Sequence, residues 1–375
     1  MRGIAKKMIA VTATATLALG LGACSSERGG ASSQSGATGA GGQGGLIGVS
    51  MPTKSLERWN RDGGHLEELL KEEGYSVSLQ YADNKVEQQI TQIQNMINEG
   101  PEVLVVASID GSALGPVLEQ AKASGITVIA YDRLIRDTEA VDYYATFDNY
   151  KVGQLQGQYV EETLGLASGN GPFNFEPFAG SPDDNNARYF FEGAWDVLSP
   201  YVESGQLVVP SGKAPKTVDD WQSIGIQAWM STTAQSEMET RLNSFYSDKK
   251  VEAVLSPNDS LALGISQALD SDGYSADEWP ILTGQDADQA NVQNIIAGKQ
   301  SMSVWKDTRA LGDRVAKMVD QIVKGETVEV NDTESYDNGR IVVPSYLLTP
   351  VVITKDNVQE QLVDSGFYTA ADLGL

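Results

Sequence analysis

The chain is predicted to be an α/β protein built from two doubly wound parallel-sheet lobes, and two observations carry this expectation. From Leu46 onward, short β-branched runs alternate with helical stretches, the pattern of successive βαβ units. About 330 residues follow the N-terminal leader, more than one hydrophobic core comfortably serves, so two lobes are expected. Leu46–Met51 reads as a strand, Leu56–Glu73 as a helix stopped by Gly74, and Ser76–Tyr81 as the next strand. Val86–Glu99 is helical because Ile90, Ile93, Met96 and Ile97 share one face, and Gly100-Pro101 ends it. A strand over Val103–Ala107, a helix over Ala113–Ser124, a strand over Ile126–Tyr131 and another over Tyr143–Phe147 continue the series, and a helix opens at Asp148-Asn149. The second half repeats it: strands at Pro172–Phe178, Leu207–Val209, Val251–Leu255, Ile281–Gly284 and Met302–Val304, with helices over Asn185–Leu198, Thr233–Tyr246, Leu261–Asp270 and Asp288–Ala297. Pro210–Asp220 lacks periodicity and reads as a loop. Ile341–Val343 and Tyr346–Ile353 are strand-like but broken by Pro344 and Pro350, as expected where a chain passes between lobes. The lobes are therefore expected at 46–147 plus 307–345 and at 148–306 plus 346–375.

The first residues predict where the protein works. Arg2, Lys6 and Lys7 precede an apolar stretch, Met8–Leu21, too short and too rich in Ala and Thr to span a membrane stably. Leu21-Gly22-Ala23-Cys24 follows, so residues 1–23 are expected to be a lipoprotein signal peptide cut before Cys24, whose sulfur would carry the lipid. Cys24 is the only cysteine, and a thioether uses a thiol that would otherwise be an oxidation liability in a secreted protein. Residues 24–45 are almost all Gly, Ser, Ala and Gln and are expected to form a flexible linker reaching about 25 Å. Gly39, Gly41 and Gly44 satisfy G-x-G-x-x-G, but a strand follows the motif instead of preceding it, so a dinucleotide site is discarded. The formal net charge is −24, and loss of Arg2, Lys6 and Lys7 leaves 24 basic against 51 acidic residues, about −27. Such a charge repels phosphate backbones, which excludes nucleic acid as an expected partner. With no second apolar run of spanning length, the lipid is the only expected membrane attachment, and the chain is placed outside the cytoplasm, on the outer face of the cell membrane or in the periplasm.

In open parallel sheets, ligands bind beyond the carboxyl ends of the strands. Polar residues recur there: Lys54, Arg58 and Trp59; Asp132 and Arg133; Asp184, Asn186 and Arg188; Asn258 and Asp259; Asp286 and Asp288; and Lys306. Carboxylates accept from pairs of hydroxyls and guanidinium groups donate through a fixed fork, so this set suits vicinal hydroxyls. Trp59 and Trp229 could face the C–H side of a pyranose ring. Each residue has a plainer alternative. A strand-end Asp serves as a helix cap, the alternative at Asp184, Asp259 and Asp288; Arg133 could pair on the surface; either tryptophan could be core. His65, on a charged helix, reads as solvated. No cofactor and no metal are expected.

Leu56-Glu57-Arg58-Trp59, Ala130-Tyr131-Asp132-Arg133, Ser181-Pro182-Asp183-Asp184-Asn185-Asn186-Ala187, Ser256-Pro257-Asn258-Asp259, Gly284-Gln285-Asp286-Ala287-Asp288 and Val304-Trp305-Lys306 occur in this order. Over residues 46–375 the chain resembles the xylose-binding and multiple-monosaccharide-binding branch of the sugar-binding proteins of ABC importers. Asp248–Pro257 and Val343–Leu348 look more like the multiple-monosaccharide members. The resemblance implies a type I periplasmic-binding protein fold with a three-crossing hinge, the crossings falling near Thr146–Asn149, Trp305–Asp307 and Pro344–Pro350. It also implies that Trp59 and Trp229 sandwich the sugar, that Asp132 and Arg133 from one lobe and Asp184, Asn186, Asn258 and Asp286 from the other hold its hydroxyls, and that Lys306 does so at the hinge, with Arg58 and Arg188 as further contacts.

The function expected on these grounds is capture of a monosaccharide by hinge closure and its delivery to an ABC importer permease by a monomeric, lipid-anchored protein without enzymatic activity. The ligand would be an aldose such as xylose, glucose, galactose or arabinose, and the cations make a sugar acid conceivable. The alternatives are a secreted glycosidase, which also pairs carboxylates with aromatic platforms, and a sugar-sensing receptor feeding a chemotaxis or signalling partner. A sugar-responsive repressor would carry a basic helix-turn-helix in place of the leader.

Overall fold

The computed structural model describes residues 44–375; the leader, Cys24 and the linker through position 43 lie outside the described residues. The first half builds β1 (Leu46–Met51), α1 (Glu57–Glu72), β2 (Ser76–Tyr81), α2 (Val86–Glu99), β3 (Val103–Val106), α3 (Gly115–Ala123), β4 (Thr127–Tyr131) and β5 (Tyr143–Phe147). These strands pair in parallel in the order β2-β1-β3-β4-β5. The order reverses between β1 and β3, which opens a crevice at the strand ends. Helices cover both faces, so β3 is apolar throughout: Val103 and Val105 face the cluster containing Leu66 and Leu70 of α1, while Leu104 and Val106 face Ile93 and Met96 of α2.

The second half comprises α4 (Asn149–Leu164), β6 (Phe173–Pro177), α5 (Asn185–Glu203), β7 (Leu207–Val208), α6 (Ser231–Phe245), β8 (Ala253–Leu255), α7 (Asp259–Ser271), β9 (Ile281–Leu282), α8 (Gln289–Ala297) and β10 (Ser303–Trp305). Its sheet runs β7-β6-β8-β9 in parallel and continues to β10 through the bridge between Gln285 and Val304. The chain then returns: α9 (Thr308–Val323) packs on α1, β11 (Ser345–Leu348) pairs with β5, and β12 (Val351–Ile353) pairs with β10, followed by α10 (Ala370–Leu373). Two parallel-sheet α/β lobes are thus linked by three crossings, at Asp148, Lys306 and Thr349-Pro350. Among the described residues no helix is long and apolar enough to cross a membrane.

Four details differ from the sequence reading. The expected lobe boundary after Ser345 falls later, because Tyr346–Leu348 register against Ala145–Phe147 in the first sheet. The chain re-enters the second lobe only after this crossing, so β12 lies antiparallel on β10, an edge strand of opposite direction to the rest. Ile341–Val343 forms no strand and contributes only the bridge between Asp337 and Val342. Helix α9 was not anticipated at all, although Leu311, Val315, Met318 and Val319 mark its buried stripe.

Two helices meet at backbone distance where they position the second half of the crevice. A Cβ on Gly153 of α4 would sit 1.9 Å from the Phe190 carbonyl oxygen of α5, and one on Gly193 would sit 2.1 Å from that of Tyr150. Glycine is otherwise unfavourable inside a helix by about 1 kcal/mol relative to alanine. Gly153→Ala is therefore expected to reverse the usual sign and destabilise by roughly 1–3 kcal/mol through overpacking, read from urea unfolding midpoints; a gain in stability would refute the close contact.

Candidate functional site

Between the lobes lies a narrow polar cavity lined by Leu56, Arg58, Trp59, Asp132, Arg133, Asp184, Asn186, Phe190, Trp229, Asn258, Ser260, Gln285, Asp286, Asp288 and Lys306. Its walls are the segments leaving β1, β4, β6, β7, β8, β9 and β10. Several are held in backbone conformations that side chains seldom adopt: φ is +60° at Asp132, +55° at Trp229 and +95° at Asp286. Each turn is locked from behind. The Asp132 carbonyl accepts from Tyr144 Oη (2.7 Å), Thr146 Oγ1 (2.9 Å) and Asn186 Nδ2 of the other lobe (2.7 Å). The Trp229 indole lies where a side chain at 180 would stand, a Cβ on Gly180 falling 2.0 Å from it. The loop bearing Asp286 is held by Asp259, whose carboxylate accepts from the Asp288 N–H, Ser303 Oγ and Gln300 Nε2 at 2.8–2.9 Å.

A single guanidinium organises the charges. Arg58 lies 3.2 Å from Asp62 on its own helix, 3.1 Å from Asp132 and 3.4 Å from Asp286 of the second lobe. Lys306, at the second crossing, is 3.5 Å from both Asp132 and Asp286. Arg133 meets Asp184 across the lobes at 2.9 Å, and Trp229 Nε1 donates to the same carboxylate at 3.2 Å. The guanidinium carbons of Arg58 and Arg133 lie 4.3 and 5.0 Å from the Trp59 ring. Burial alone would raise the Asp132 carboxyl, but Arg58, Lys306 and Arg133 outweigh it and hold it at about 2. Burial would likewise strip the proton from Arg58, and Asp132, Asp62 and Asp286 reverse that, pushing its pKa up. Asp184 is raised by burial despite Arg133. Asp288 rises to about 7, through burial first and then Asp286. Three buried polar atoms of cavity-lining residues, Trp59 Nε1, Arg133 Nε and Gln285 Oε1, have no hydrogen-bond partner among the described residues, Arg133 Nε meeting the Asp184 carboxylate as an ion pair without hydrogen-bond geometry.

Of the residues singled out in the sequence, Arg58, Trp59, Asp132, Arg133, Asp184, Asn186, Trp229, Asn258, Asp286 and Lys306 are brought together here. Arg188 is not. It lies two residues beyond Asn186 on α5, about 200° around the helix from it, half exposed, and faces Glu192 at 4.0 Å and Asp219 at 3.6 Å. Lys54 also stays outside, with Nζ 4.8 Å over the Tyr81 ring. Of the three cap readings only that at Asp184 holds, its side chain accepting from the Asn186 N–H; the cap of α7 is Asn258, which accepts from the Leu261 N–H, Asp259 is a buried acceptor, and Asp288 makes no side-chain cap bond. His65 pairs with Asp313 at 3.0 Å near the surface. Asp62, Phe190 and Gln285 were missed, although Asp62 follows Arg58 by four residues and Phe190 follows Asn186 by four, the spacing of one helical face. Among the described residues no cluster of His, Cys, Asp and Glu is arranged to hold a metal ion.

Two parallel-sheet lobes enclosing one polar cavity at their strand ends define a binding protein of the hinged, two-lobed class. The chain belongs to the periplasmic binding protein family, whose domain model matches residues 47–327. It is 48% identical over 331 residues to the multiple sugar-binding periplasmic receptor ChvE of Rhizobium radiobacter, covering 88% of this chain and 92% of that protein. It is 35% identical over 327 residues to the D-xylose-binding periplasmic protein of Escherichia coli (strain K12), covering 87% and 92%. A solved ABC transporter solute-binding protein from Clostridium phytofermentans with bound β-D-glucose superposes with a TM-score of 0.84 at 54% identity, covering 88% of this chain and 99% of that one.

The Asp132 shift has a measurable consequence. Its carboxylate sits near 2 when folded against an ordinary 3.8, so its ionised form favours the native state. That contribution is complete above about pH 4 and is lost as pH falls through 2, a loss of roughly 2 kcal/mol. Unfolding measured from pH 5 to pH 2 is expected to show stability falling more steeply in the wild type than in Asp132→Asn, other lowered carboxylates such as Glu329 giving both a common slope; parallel curves would refute the pairing.

Proposed function

We propose that this protein is an extracytoplasmic solute-binding lipoprotein that captures a monosaccharide between its lobes and delivers it to an ABC importer permease. The observation that supports this best is the cavity itself, where fixed polar groups from both lobes surround a space flanked by two indoles. In this reading Trp59 and Trp229 face the ring. Asp132, Arg133, Asp184, Asn186, Asn258, Asp286, Lys306 and Arg58 bond its hydroxyls, and Cys24 carries the lipid that tethers a monomer to the outer face of the membrane. The names of the relatives favour aldoses, with glucose and xylose foremost. Arg188 and Lys54 stand apart from the cavity, which leaves Arg58, Arg133 and Lys306, already paired with carboxylates, as the cations a sugar acid would meet.

Binding follows from bridging. A sugar that bonds groups of both lobes stabilises the closed arrangement by as much as it prefers that arrangement over the open one. Hydrogen bonds to charged groups contribute roughly 1.5–3 kcal/mol each, and several exceed the about −8 kcal/mol of a micromolar complex. Closure and lost freedom offset the surplus. Selectivity comes from the penalty of leaving a buried carboxylate or amide unanswered when a hydroxyl is missing.

Calorimetric titration with glucose, xylose, galactose, arabinose, fucose and galacturonate tests the reading. At least one aldose is expected to bind with a dissociation constant of about a micromolar or tighter, and Trp229→Ala or Asp286→Ala to weaken it at least about tenfold. No heat from any sugar would overturn sugar capture, and release of the aryl group from aryl glycosides would replace binding with hydrolysis.

A further inference from the structure

We propose that Glu57 and Arg61 of α1, together with Tyr368, form an interlobe clasp that sets affinity by holding the lobes closed and not by touching the ligand. The inference rests on the capture reading above. Helix α1 belongs to the first lobe, where Leu66 and Leu70 join its core. Arg58, Trp59 and Asp62 turn inward from it. Glu57 and Arg61, one turn apart, face the second lobe, and neither lines the cavity; nor does Tyr368.

The contacts are directional and cross the boundary. Arg61 Nη1 donates to Tyr368 Oη at 2.5 Å and Nη2 to Asp288 Oδ1 at 3.2 Å, while the guanidinium stacks 4.8 Å from the Phe367 ring and 5.6 Å from that of Tyr368. Glu57 pairs with Arg61 and accepts from the Gln289 N–H at 3.3 Å, at the first turn of α8, where a carboxylate also meets the positive end of the helix dipole. The Tyr368 hydroxyl, accepting from Arg61, has its own proton within reach of the Ala287 carbonyl at 2.9 Å and Glu57 Oε1 at 3.1 Å. The clasp therefore grips the turn that carries Asp286, through Ala287 and Gln289, which do not line the cavity, and through Asp288, which does.

A contact made only when the lobes are together adds the same free energy to the closed form whatever sugar is enclosed, so it scales every dissociation constant by one factor. A residue that meets a hydroxyl behaves otherwise, because its loss falls on sugars that present that hydroxyl. Uniformity is the signature.

Purified full-length protein, Arg61→Met and Tyr368→Phe should be titrated with glucose and with xylose, and dissociation followed by stopped flow. Arg61→Met keeps the stacking stem and removes the fork; it is expected to raise both dissociation constants about five- to twentyfold, through faster dissociation, with the glucose-to-xylose ratio unchanged. Tyr368→Phe, which removes one hydroxyl, is expected to act in the same direction with a smaller factor and supplies the test should Arg61→Met fail to fold. Unchanged constants in the folded variants, or a change that differs between the two sugars by more than about threefold, would overturn the clasp. Where wild type binds neither of these two, the same comparison is made with two of the six sugars above that it does bind; wild-type protein that binds none of the six would remove the capture reading and the clasp with it, whereas normal wild-type binding beside an unaltered variant removes the clasp alone.

Discussion

A guanidinium withdrawn from water must be answered by carboxylates, and Arg58 draws its answers from both lobes. Asp62 comes from the same helix, Asp132 from the end of β4 and Asp286 from the end of β9. Each of these carboxylates would be costly to bury alone, and so would the guanidinium; their mutual neutralisation is what permits a charged cluster at the centre of the molecule. Lys306 completes the arrangement from the crossing strand, touching one carboxylate of each lobe. The same groups that make the interior electrically tolerable are hydrogen-bonding groups of fixed direction, which is what recognition of a polyol requires. Structure and recognition are here a single set of interactions.

Fixed direction has a backbone counterpart. Asp132, Trp229 and Asp286 all sit at positive φ, a region that disfavours their side chains and persists only where the surroundings over-determine it. Three donors converge on the Asp132 carbonyl, and three more fix the turn of Asp286 through Asp259. Asp259 is a case where one carboxylate spends its acceptors on geometry. Its pKa lies far above the ordinary value because burial and the neighbouring Asp288 oppose ionisation, against the bonds from Gln300 and Ser303. The residue supports the site without entering it.

Much of this was legible before any coordinates. A strand's carboxyl end can be located from where a β-branched run stops, and the polar residue just beyond it then falls in the crevice, which is how Asp132, Asp184, Asn258, Asp286 and Lys306 were found. Arg188 failed because the same logic was carried into the body of α5, where the direction of a side chain depends on helical phase; Asn186 and Phe190 share the inward phase and Arg188 does not. Arg58 was read as a lesser contact, since nothing in a local window reveals that Asp132 and Asp286, distant in sequence, converge on it beside Asp62. Helix α9 escaped notice for a different reason. It lies in step with the alternation, between β10 and β11, but it follows a crossing and no strand comes soon after it, so only its own periodicity of Leu311, Val315 and Val319 announces it. The antiparallel direction of β12 was equally hidden, being a property of the route taken by the chain and not of the residues in the strand.

Helix α1 joins these levels because its stripes serve different ends. Leu66 and Leu70 fix it to the first sheet, Arg58 and Asp62 place it in the charge cluster, and Glu57 and Arg61, which do not line the cavity, reach the second lobe at its edge. A rod held this firmly cannot let one stripe move without the others. When the lobes approach, the pairing of Arg58 with Asp286 and the contacts of Arg61 with Tyr368 and Asp288 must form together, and when they part both are lost. Closure of such a molecule is cooperative for a geometric reason. In the capture and clasp readings proposed above, the division between stripes also separates two quantities that could otherwise be inseparable: the inward groups would discriminate among sugars, whereas the outward ones would alter how firmly any sugar is retained.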